Sequence, residues 1–430
     1  MLSKINLKSE LIKSALVLSS GTVLAQGISY LLTPFITRLY SPEDFGEFGI
    51  IMRIVAFLAV IGAARYEYAI PLPKKHEHAF HIYRLSLRIL MWTVGLTLVA
   101  GGIFWLFKSN SNNSLFYIVL ISAITGFTVF ISIGRHWAIR MKWFKNITIS
   151  TLLTSATTNT AKLLAGVAGM GVFGLAISTL LGVIVGSLVF VFDAFGIYKI
   201  NNRKSKLRRA VVAKQYKEFP KINLPHSLID ASRELLIAFF LTLYLSTSLF
   251  GSYDHSFRML KIPLLLIGVA IGQVLYNRIS TDFAQSKNIY PLLKRSVIIL
   301  TLIGIIPFSV IYFWGAPIFE FVFGEQWKLS GEIAAVLSPW LMANFVASSI
   351  SMVPNIIGKL RWFFWVGIVT TFIQLTCFAF FPDLMEWLNI SEIGMFEIIS
   401  WIMFVLFSGS VIWQLKIVKE LDLKRLNKLN

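Results

Sequence analysis

Long, predominantly apolar runs limit the folds open to this chain more than any other feature. Leu85–Phe107, Val172–Tyr198 and Phe363–Phe381 are each long enough to cross a bilayer, which takes about 20 apolar residues. Charged residues make up 14% of the 430 and hydrophobic ones 56%, whereas a soluble domain carries roughly a quarter charged residues. The 36 phenylalanines suit lipid-facing surfaces and interfacial belts. The fold class is therefore an all-α polytopic membrane protein. Helices are expected at about 11–37, 45–72, 84–107, 115–137, 147–168, 171–197, 222–249, 255–279, 294–315, 333–357, 361–381 and 395–417, about 12 transmembrane helices in all.

Charge sorts the loops between these segments into two sets. One set is basic: Lys4–Lys13, Lys74–Arg88, Arg135–Lys145, a linker over 199–221, Arg278–Arg295, Lys359–Arg361 and the tail from Lys416. The other is acidic: Glu43 and Asp44, Asp254, Glu320–Glu332 and Asp383–Glu397. Lys and Arg in short loops mark the cytoplasmic side, so both termini are expected there. The net charge of +19 is explained by that bias and does not call for a nucleic-acid partner. The N-terminus shows no small-residue cleavage site and is expected to remain as helix 1. Cys377 is the single cysteine, which excludes an internal disulfide. His76-Glu77-His78 with His81 has a metal-like spacing, but Lys74 and Lys75 beside it disfavour a cation, and a solvated loop is expected.

The chain reads as a duplication. Phe45-Gly46-Glu47-Phe48 with Arg53 matches Phe250-Gly251-Ser252-Tyr253 with Arg258, each opening the second helix of its half. Arg140-Met141-Lys142-Trp143-Phe144 matches Lys359-Leu360-Arg361-Trp362-Phe363, each between the fourth and fifth helices. The expected organisation is an N-lobe over 1–198, a basic cytoplasmic linker over 199–221 and a C-lobe over 222–430. The two six-helix lobes would be related by a pseudo-two-fold axis along the membrane normal, with a V-shaped central cavity. That architecture favours a carrier over a pore.

An ionisable group in hydrocarbon costs about 2.5–3.5 kcal/mol on insertion scales, so those inside the helices are the candidate site. They are Arg53, Arg65 and Glu67 on helix 2, Lys162 on helix 5, Asp230, Arg233 and Glu234 on helix 7, and Arg258 and Lys261 on helix 8. Arg53 and Arg258 should lie roughly 12 Å below the acidic face. Asp230 shares one helix face with Arg233 and Glu234. Gln26 on helix 1 joins the set as a polar group that could reach the cavity. Arginine suits phosphate because its planar fork gives bidentate, charge-assisted bonds.

With these residues in view, the chain resembles the polysaccharide transporters of the O-antigen (Wzx-type) flippase family, within the multidrug/oligosaccharidyl-lipid/polysaccharide exporter superfamily. The similarity is carried by Ser19–Ile50, by Arg65-Tyr66-Glu67-Tyr68-Ala69-Ile70-Pro71-Leu72-Pro73, by Phe219-Pro220 with Pro225, and by Arg258, Pro263 and Gly272. Asp230 departs from the pattern, which has an uncharged Asn-like residue there, and the extra helix pair of peptidoglycan-lipid flippases is not expected. The resemblance implies a flippase of the bacterial inner membrane, not an enzyme. It would move an undecaprenyl-diphosphate-linked oligosaccharide to the outer leaflet by alternating access through a cationic cavity, with membrane lipids and other surface-polysaccharide assembly proteins as partners.

No cofactor is implied. The sequence holds no G-x4-G-K-[ST] loop, so an H+ or Na+ gradient, or the substrate gradient, is the expected driver. The alternatives are a cation-coupled multidrug exporter, which needs a more acidic cavity than this basic tally gives, and a membrane glycan polymerase or acyltransferase. The second needs a catalytic constellation, yet the short outer loops offer only His255.

Overall fold

The computed structural model describes residues 21–108, 112–201 and 209–429, and these are helical with no strand. The basic N-terminus and the start of the expected first helix lie outside them. Helix α1 is seen over 21–37. It is followed by α2 (Pro42–Ile61), α3 (His76–Lys108), α4 (Asn112–Met141), α5 (Phe144–Val167), α6 (Gly171–Asn201) and the short α7 (Arg209–Gln215). Then come α8 (Leu224–Tyr244), α9 (Thr247–Ala284), α10 (Tyr290–Phe323), α11 (Lys328–Ser349), the short α12 (Val353–Ile356), α13 (Leu360–Ala379), the short α14 (Phe381–Leu388) and α15 (Glu392–Leu429). The twelve long helices correspond one to one with the twelve expected from hydropathy. Seven of them, α3, α4, α6, α10, α11, α13 and α15, are long and apolar enough to cross a membrane by composition alone. The other five carry the intramembrane polar residues singled out above.

Packing divides the chain into two units, 1–238 and 239–430, with the division inside α8 rather than in the 199–221 linker. Within the first unit α2 packs on α4, α3 on α4, α4 on α6 and α5 on α6. Within the second, α9 packs on α11, α10 on α11, α11 on α15 and α13 on α15. The same four neighbour relations recur in the same order, as a duplication requires.

Local chemistry repeats as well. Ser41 caps α2, its hydroxyl accepting from the Asp44 amide while the Asp44 carboxylate accepts from the Ser41 amide. Ser246 caps α9 by accepting from the Leu249 amide. Each cap satisfies amides that would otherwise be orphaned at the helix start. The second pair of matched segments also forms equivalent turns. Lys142 (φ 60°) ends α4 before α5, and Gly358 (φ 71°) precedes α13, each reversing the chain through the left-handed region.

Three expected helices are interrupted. Helix 2 does not run to residue 72, because α2 stops at Ile61 and Ala64 and Arg65 adopt positive φ (48° and 63°). A 3₁₀ turn, Tyr66–Ala69, follows, and Pro71 and Pro73 prevent the helix from resuming. Helix 10 does not run unbroken to 357. α11 ends at Ser349 and α12 restarts at Val353. Helix 9 extends to Phe323 instead of 315, with Pro307 and Pro317 inside it and non-helical geometry at Trp314 (φ −125°, ψ 19°). Beside that break, Gly315 and Gly331 leave no room for a β-carbon, so α10 and α11 touch backbone to backbone. At the other end of α10, the buried Asp422 carboxylate of α15 accepts from the amides of Ile289 (2.9 Å) and Tyr290 (2.7 Å).

The basic linker is not simply solvated. Val212 of α7 is 1% exposed and joins a core cluster with Ala69, Ile70, Tyr83 and Trp137. The Tyr66 hydroxyl donates to the Ala213 carbonyl at 3.2 Å, tying α7 to the turn after α2. Residues 202–208 of the linker lie outside the described residues. His76, Glu77 and His78 open α3 instead of forming a loop, and His81 is buried. Among the described residues no group of three or more His, Cys, Asp or Glu side chains could hold a metal.

Candidate functional site

The intramembrane charges are brought into position by helix register. Arg53 and Arg258 each lie eleven residues after the first residue of their helix, Pro42 or Thr247. At 1.5 Å per residue that is about 16 Å along the axis, deeper than the expected 12 Å because both helices begin earlier than hydropathy suggests. The two arginines therefore occupy equivalent depths in equivalent helices, but their surroundings differ. Arg53 donates from Nη1 to the Gly49 carbonyl at 3.3 Å. Arg258 donates from Nη2 to Asp254 Oδ2 at 2.5 Å. Asp254, expected in an outer loop, sits on α9 and is 5% exposed. The reason is the Ser246 cap, which starts α9 eight residues before the expected position and carries Asp254 into the helix.

The two lysines rest on aromatic faces. Lys162 Nζ lies 4.5 Å from the centre of the Phe48 ring, and Lys261 Nζ lies 4.7 Å from that of Phe257. Such contacts hold a cation without neutralising it and are worth about 0.5–2 kcal/mol. Phe48 itself is buried on α2. The carbonyl of Lys162 accepts the Tyr40 hydroxyl at 2.7 Å, so α5 is fastened to the loop before α2. Burial, with the Asp44 charge adding to it, pushes the Tyr40 phenol up to about 12, so this donor keeps its proton throughout the physiological range.

Arg65 and Glu67 are not on a membrane helix but in the turn that follows α2. Arg65 Nη1 lies 3.9 Å from Glu67 Oε1 and donates to the Tyr68 hydroxyl at 3.1 Å. Its guanidinium also sits over the Tyr68 ring at 5.2 Å. Glu67 is 3% exposed, and its Oε2 has no hydrogen-bond donor. Burial raises the Glu67 carboxyl above its usual range, while its own backbone amide and Arg65 pull it down. Arg140 locks the same turn by donating to the Pro73 carbonyl at 2.6 Å.

On α8, Asp230, Arg233 and Glu234 do share a face. Arg233 lies 3.9 Å from Asp230 and donates to Glu234 Oε1 at 3.3 Å. Asp230 is more exposed than expected, at 58%, and His226 Nδ1 stands 3.9 Å from it. His226, one turn earlier on the same helix face, is a neighbour of Asp230 that the i, i+4 spacing could have revealed.

Gln26 lines a cavity of about 400 Å³ within the first unit, formed by α1, α4, α5 and α6. Its walls are hydroxyl-rich. Ser155 donates to the Ala25 carbonyl at 2.7 Å, Asn159 to the Ser29 hydroxyl at 2.9 Å and Ser150 to the Gly186 carbonyl at 2.8 Å. Gln26 Oε1 is buried with no donor to it. The cation at this cavity is Arg135, which the charge pattern assigns to a basic loop. In the structure it lies on α4, and no acidic side chain pairs with it among the described residues. Within the first unit the candidates lie in the turn after α2, at Arg53, at Lys162 over Phe48, at the hydroxyl-lined cavity and in the α8 cluster, and within the second unit on α9.

Twelve long helices among the described residues, packed in a pattern that recurs in the two units, with charged residues on α2, α5, α8 and α9, are the architecture of a multi-pass membrane transporter. Residues 35–331 match the family of polysaccharide biosynthesis proteins, and the chain belongs to that family. It is 19% identical over 394 residues to the succinoglycan biosynthesis transport protein ExoT of Rhizobium meliloti (strain 1021), a match covering 88% of this chain and 77% of that protein. The fold is shared with an inward-facing multidrug resistance MATE transporter of the MOP superfamily. That likeness has a TM-score of 0.68 at 17% identity, covering 93% of this chain and 99% of the other. The lipid II flippase MurJ in an inward closed conformation is as similar, with a TM-score of 0.68 at 16% identity, covering 94% and 90%.

Proposed function

We propose that this chain is a flippase for an undecaprenyl-diphosphate-linked oligosaccharide, carrying it from the cytoplasmic to the outer leaflet of a bacterial inner membrane by alternating access. The observation that carries the reading is the match to the polysaccharide biosynthesis family over 35–331, a span holding nine of the ten candidate residues, all but Gln26. A diphosphate attached to a hydrophilic glycan cannot enter hydrocarbon unaided, since stripping water from such groups is prohibitive. Cations placed at depth remove part of that cost. Arg53 and Arg258 are the preferred diphosphate contacts, each offering a planar fork. Lys162 and Lys261, held over rings, add positive field. No step of this cycle requires bond making or breaking, and the chain is read as a carrier, not an enzyme.

The basic loops are assigned to the cytoplasm by the charge rule. Coupling is assigned to an ion gradient, with Glu67 and the Asp230–Glu234 cluster as the carboxylates available to carry a proton or Na+. The test is translocation of a fluorescent undecaprenyl-diphosphate oligosaccharide in liposomes by wild type, Arg53→Ala and Arg258→Ala, with Asp254→Ala as a control that retains Arg258. Transport by wild type that falls in the arginine variants, all of them folded, supports the reading. Transport unaffected by either arginine keeps the function and removes the site. Extrusion of an organic cation with no glycolipid transport moves the chain to the multidrug exporters, whose fold it shares.

A further inference from the structure

The second unit contains a cavity of about 560 Å³ between the later part of α9 and the break from α11 into α12. That volume lies within the roughly 300–1,000 Å³ of small-molecule sites. The cavity follows from the broken helix. α11 stops at Ser349, the chain turns through 350–352, and Pro354 lies in the first turn of α12. Across from this break, a β-carbon on Gly272 would sit 3.0 Å from the Ser349 carbonyl oxygen. The two backbones therefore approach closely there, and the polar side chains that follow on each element face one space.

Most of the side chains that line it are polar, and none is charged. Gln273, Tyr276 and Asn277 come from α9, and Ser348, Ser351 and Asn355 come from the broken segment. Ser348 donates to the Phe345 carbonyl at 3.1 Å and Ser351 to the Ser348 carbonyl at 2.8 Å, so both hydroxyl oxygens remain available as acceptors. The side chains of Gln273, Tyr276 and Asn277 make no hydrogen bond to described protein groups, and Asn355 Nδ2 reaches only the Met352 sulfur at 3.6 Å. Tyr276 is 44% exposed.

Chemistry selects the ligand class. An organic cation wants a carboxylate and a phosphate wants Lys or Arg, and this lining has neither. A carboxamide offers two N–H donors and a carbonyl acceptor, a pattern that two neighbouring sugar hydroxyls complement. Hydroxyl oxygens that have already donated accept further sugar O–H groups, and a tyrosine ring offers an apolar face with a polar tip. The cavity also adjoins a more open hollow of about 580 Å³ holding Arg278 and Lys287, with Asn277 lining both. Arg278 shares its charge with Asp282 at 3.3 Å, and Lys287 is the other cation lining that hollow.

We propose that this cavity is a glycan subsite, binding a glycosyl unit of the lipid-linked substrate through Gln273, Asn277 and Asn355 with Tyr276 stacked on the sugar ring. The proposal rests on the flippase reading above. It separates recognition of the sugar from recognition of the diphosphate, which belongs to the arginines.

The full-length protein in nanodiscs is titrated with two probes, bare undecaprenyl diphosphate and the lipid-linked oligosaccharide extracted from the native host's membranes. Wild type is expected to bind the glycan-bearing lipid more tightly. Asn277→Ala with Asn355→Ala is expected to lose about tenfold for that lipid, from the neutral hydrogen bonds removed, and nothing for the bare one. Tyr276→Phe should lose less than Tyr276→Ala. The four side chains are exposed, so folding is expected to survive, and Gln273→Ala provides the same test independently. Equal losses for both probes, or none for either, overturn the subsite and leave the flippase reading standing. Wild type that binds neither lipid overturns both.

Discussion

In Arg258→Ala, the carboxylate of Asp254, 5% exposed, loses a guanidinium whose Nη2 lies 2.5 Å from it. Breaking a fully buried pair costs about 3–5 kcal/mol. The Arg258 side chain is 34% exposed, so solvent screening lowers the expected cost to about 2 kcal/mol. For a unit the size of 239–430, that corresponds to a fall in Tm of about 4–8 °C. The assay is thermal denaturation in detergent followed by tryptophan fluorescence. Trp340, whose ring lies 5.5 Å from that of Phe257, is a reporter next to the pair. Asp254→Ala with Arg258→Ala removes both halves of the pair and should recover much of the loss, giving a coupling energy above about 1 kcal/mol in a double-mutant cycle. Additive single effects, with coupling below about 0.5 kcal/mol, would refute the reasoning and leave Arg258 free for another role. The cycle also decides how the transport test is read, because a folding loss in Arg258→Ala alone would mimic a lost substrate contact.

Other expectations follow from the same structure. Val212→Ala removes about 1–2 kcal/mol of buried contact and should speed tryptic cleavage at Lys214 and Lys217; an unchanged cleavage rate argues against the docked linker. Tyr40→Phe gives up the 2.7 Å bond to the Lys162 carbonyl and should cost about 1 kcal/mol, read as a lower melting temperature at neutral pH. Burial, opposed by its backbone amide and by Arg65, raises the Glu67 carboxyl above its ordinary 4.5, so the folded protein holds this proton more tightly than the unfolded chain. Its stabilising contribution is therefore complete below about pH 4.5 and lost as pH rises through the raised value. Glu67→Gln cannot titrate, so its melting temperature should gain on wild type over that rise, whereas a pH-independent difference sinks the argument. Single cysteines at Lys74 and Glu325, in a Cys377→Ser background, should label from opposite sides of sealed vesicles, and labelling from one side would overturn the orientation.

Hydropathy located the twelve long helices because a membrane span leaves a one-dimensional signal of about 20 apolar residues. The duplication was legible too, since Phe45–Arg53 and Phe250–Arg258 keep their spacing and their depth from the helix start. The breaks were less legible. Pro71 and Pro73 lie where helix 2 was expected to end, but the positive φ at Ala64 and Arg65 that ends it earlier has no signature at alanine or arginine. The same holds at Ile350, where apolar residues continue through a turn. Pairing was least legible. Asp254 looked like a loop acid until the Ser246 cap fixed where α9 begins, and Arg135 looked like a loop base although it borders a cavity. A hydroxyl-lined hollow depends on which faces of α1, α4, α5 and α6 meet, and spacing along one helix does not encode that.

The contact between Gly315 and Gly331 clamps α10 at its acidic end, while Pro307, having no N–H, leaves the Ile303 carbonyl without its intrahelical donor. A rod held at one end and softened near its middle bends at the soft place. From Pro307 to Tyr290 is about 25 Å along the axis, so a bend of about 10° would swing the basic end by roughly 4 Å. Asp422 grips the amide of Tyr290 at 2.7 Å, so α15 would be drawn along with it. A small angular change at one proline is thereby converted into a joint displacement of α10 and α15 at the basic end of α10.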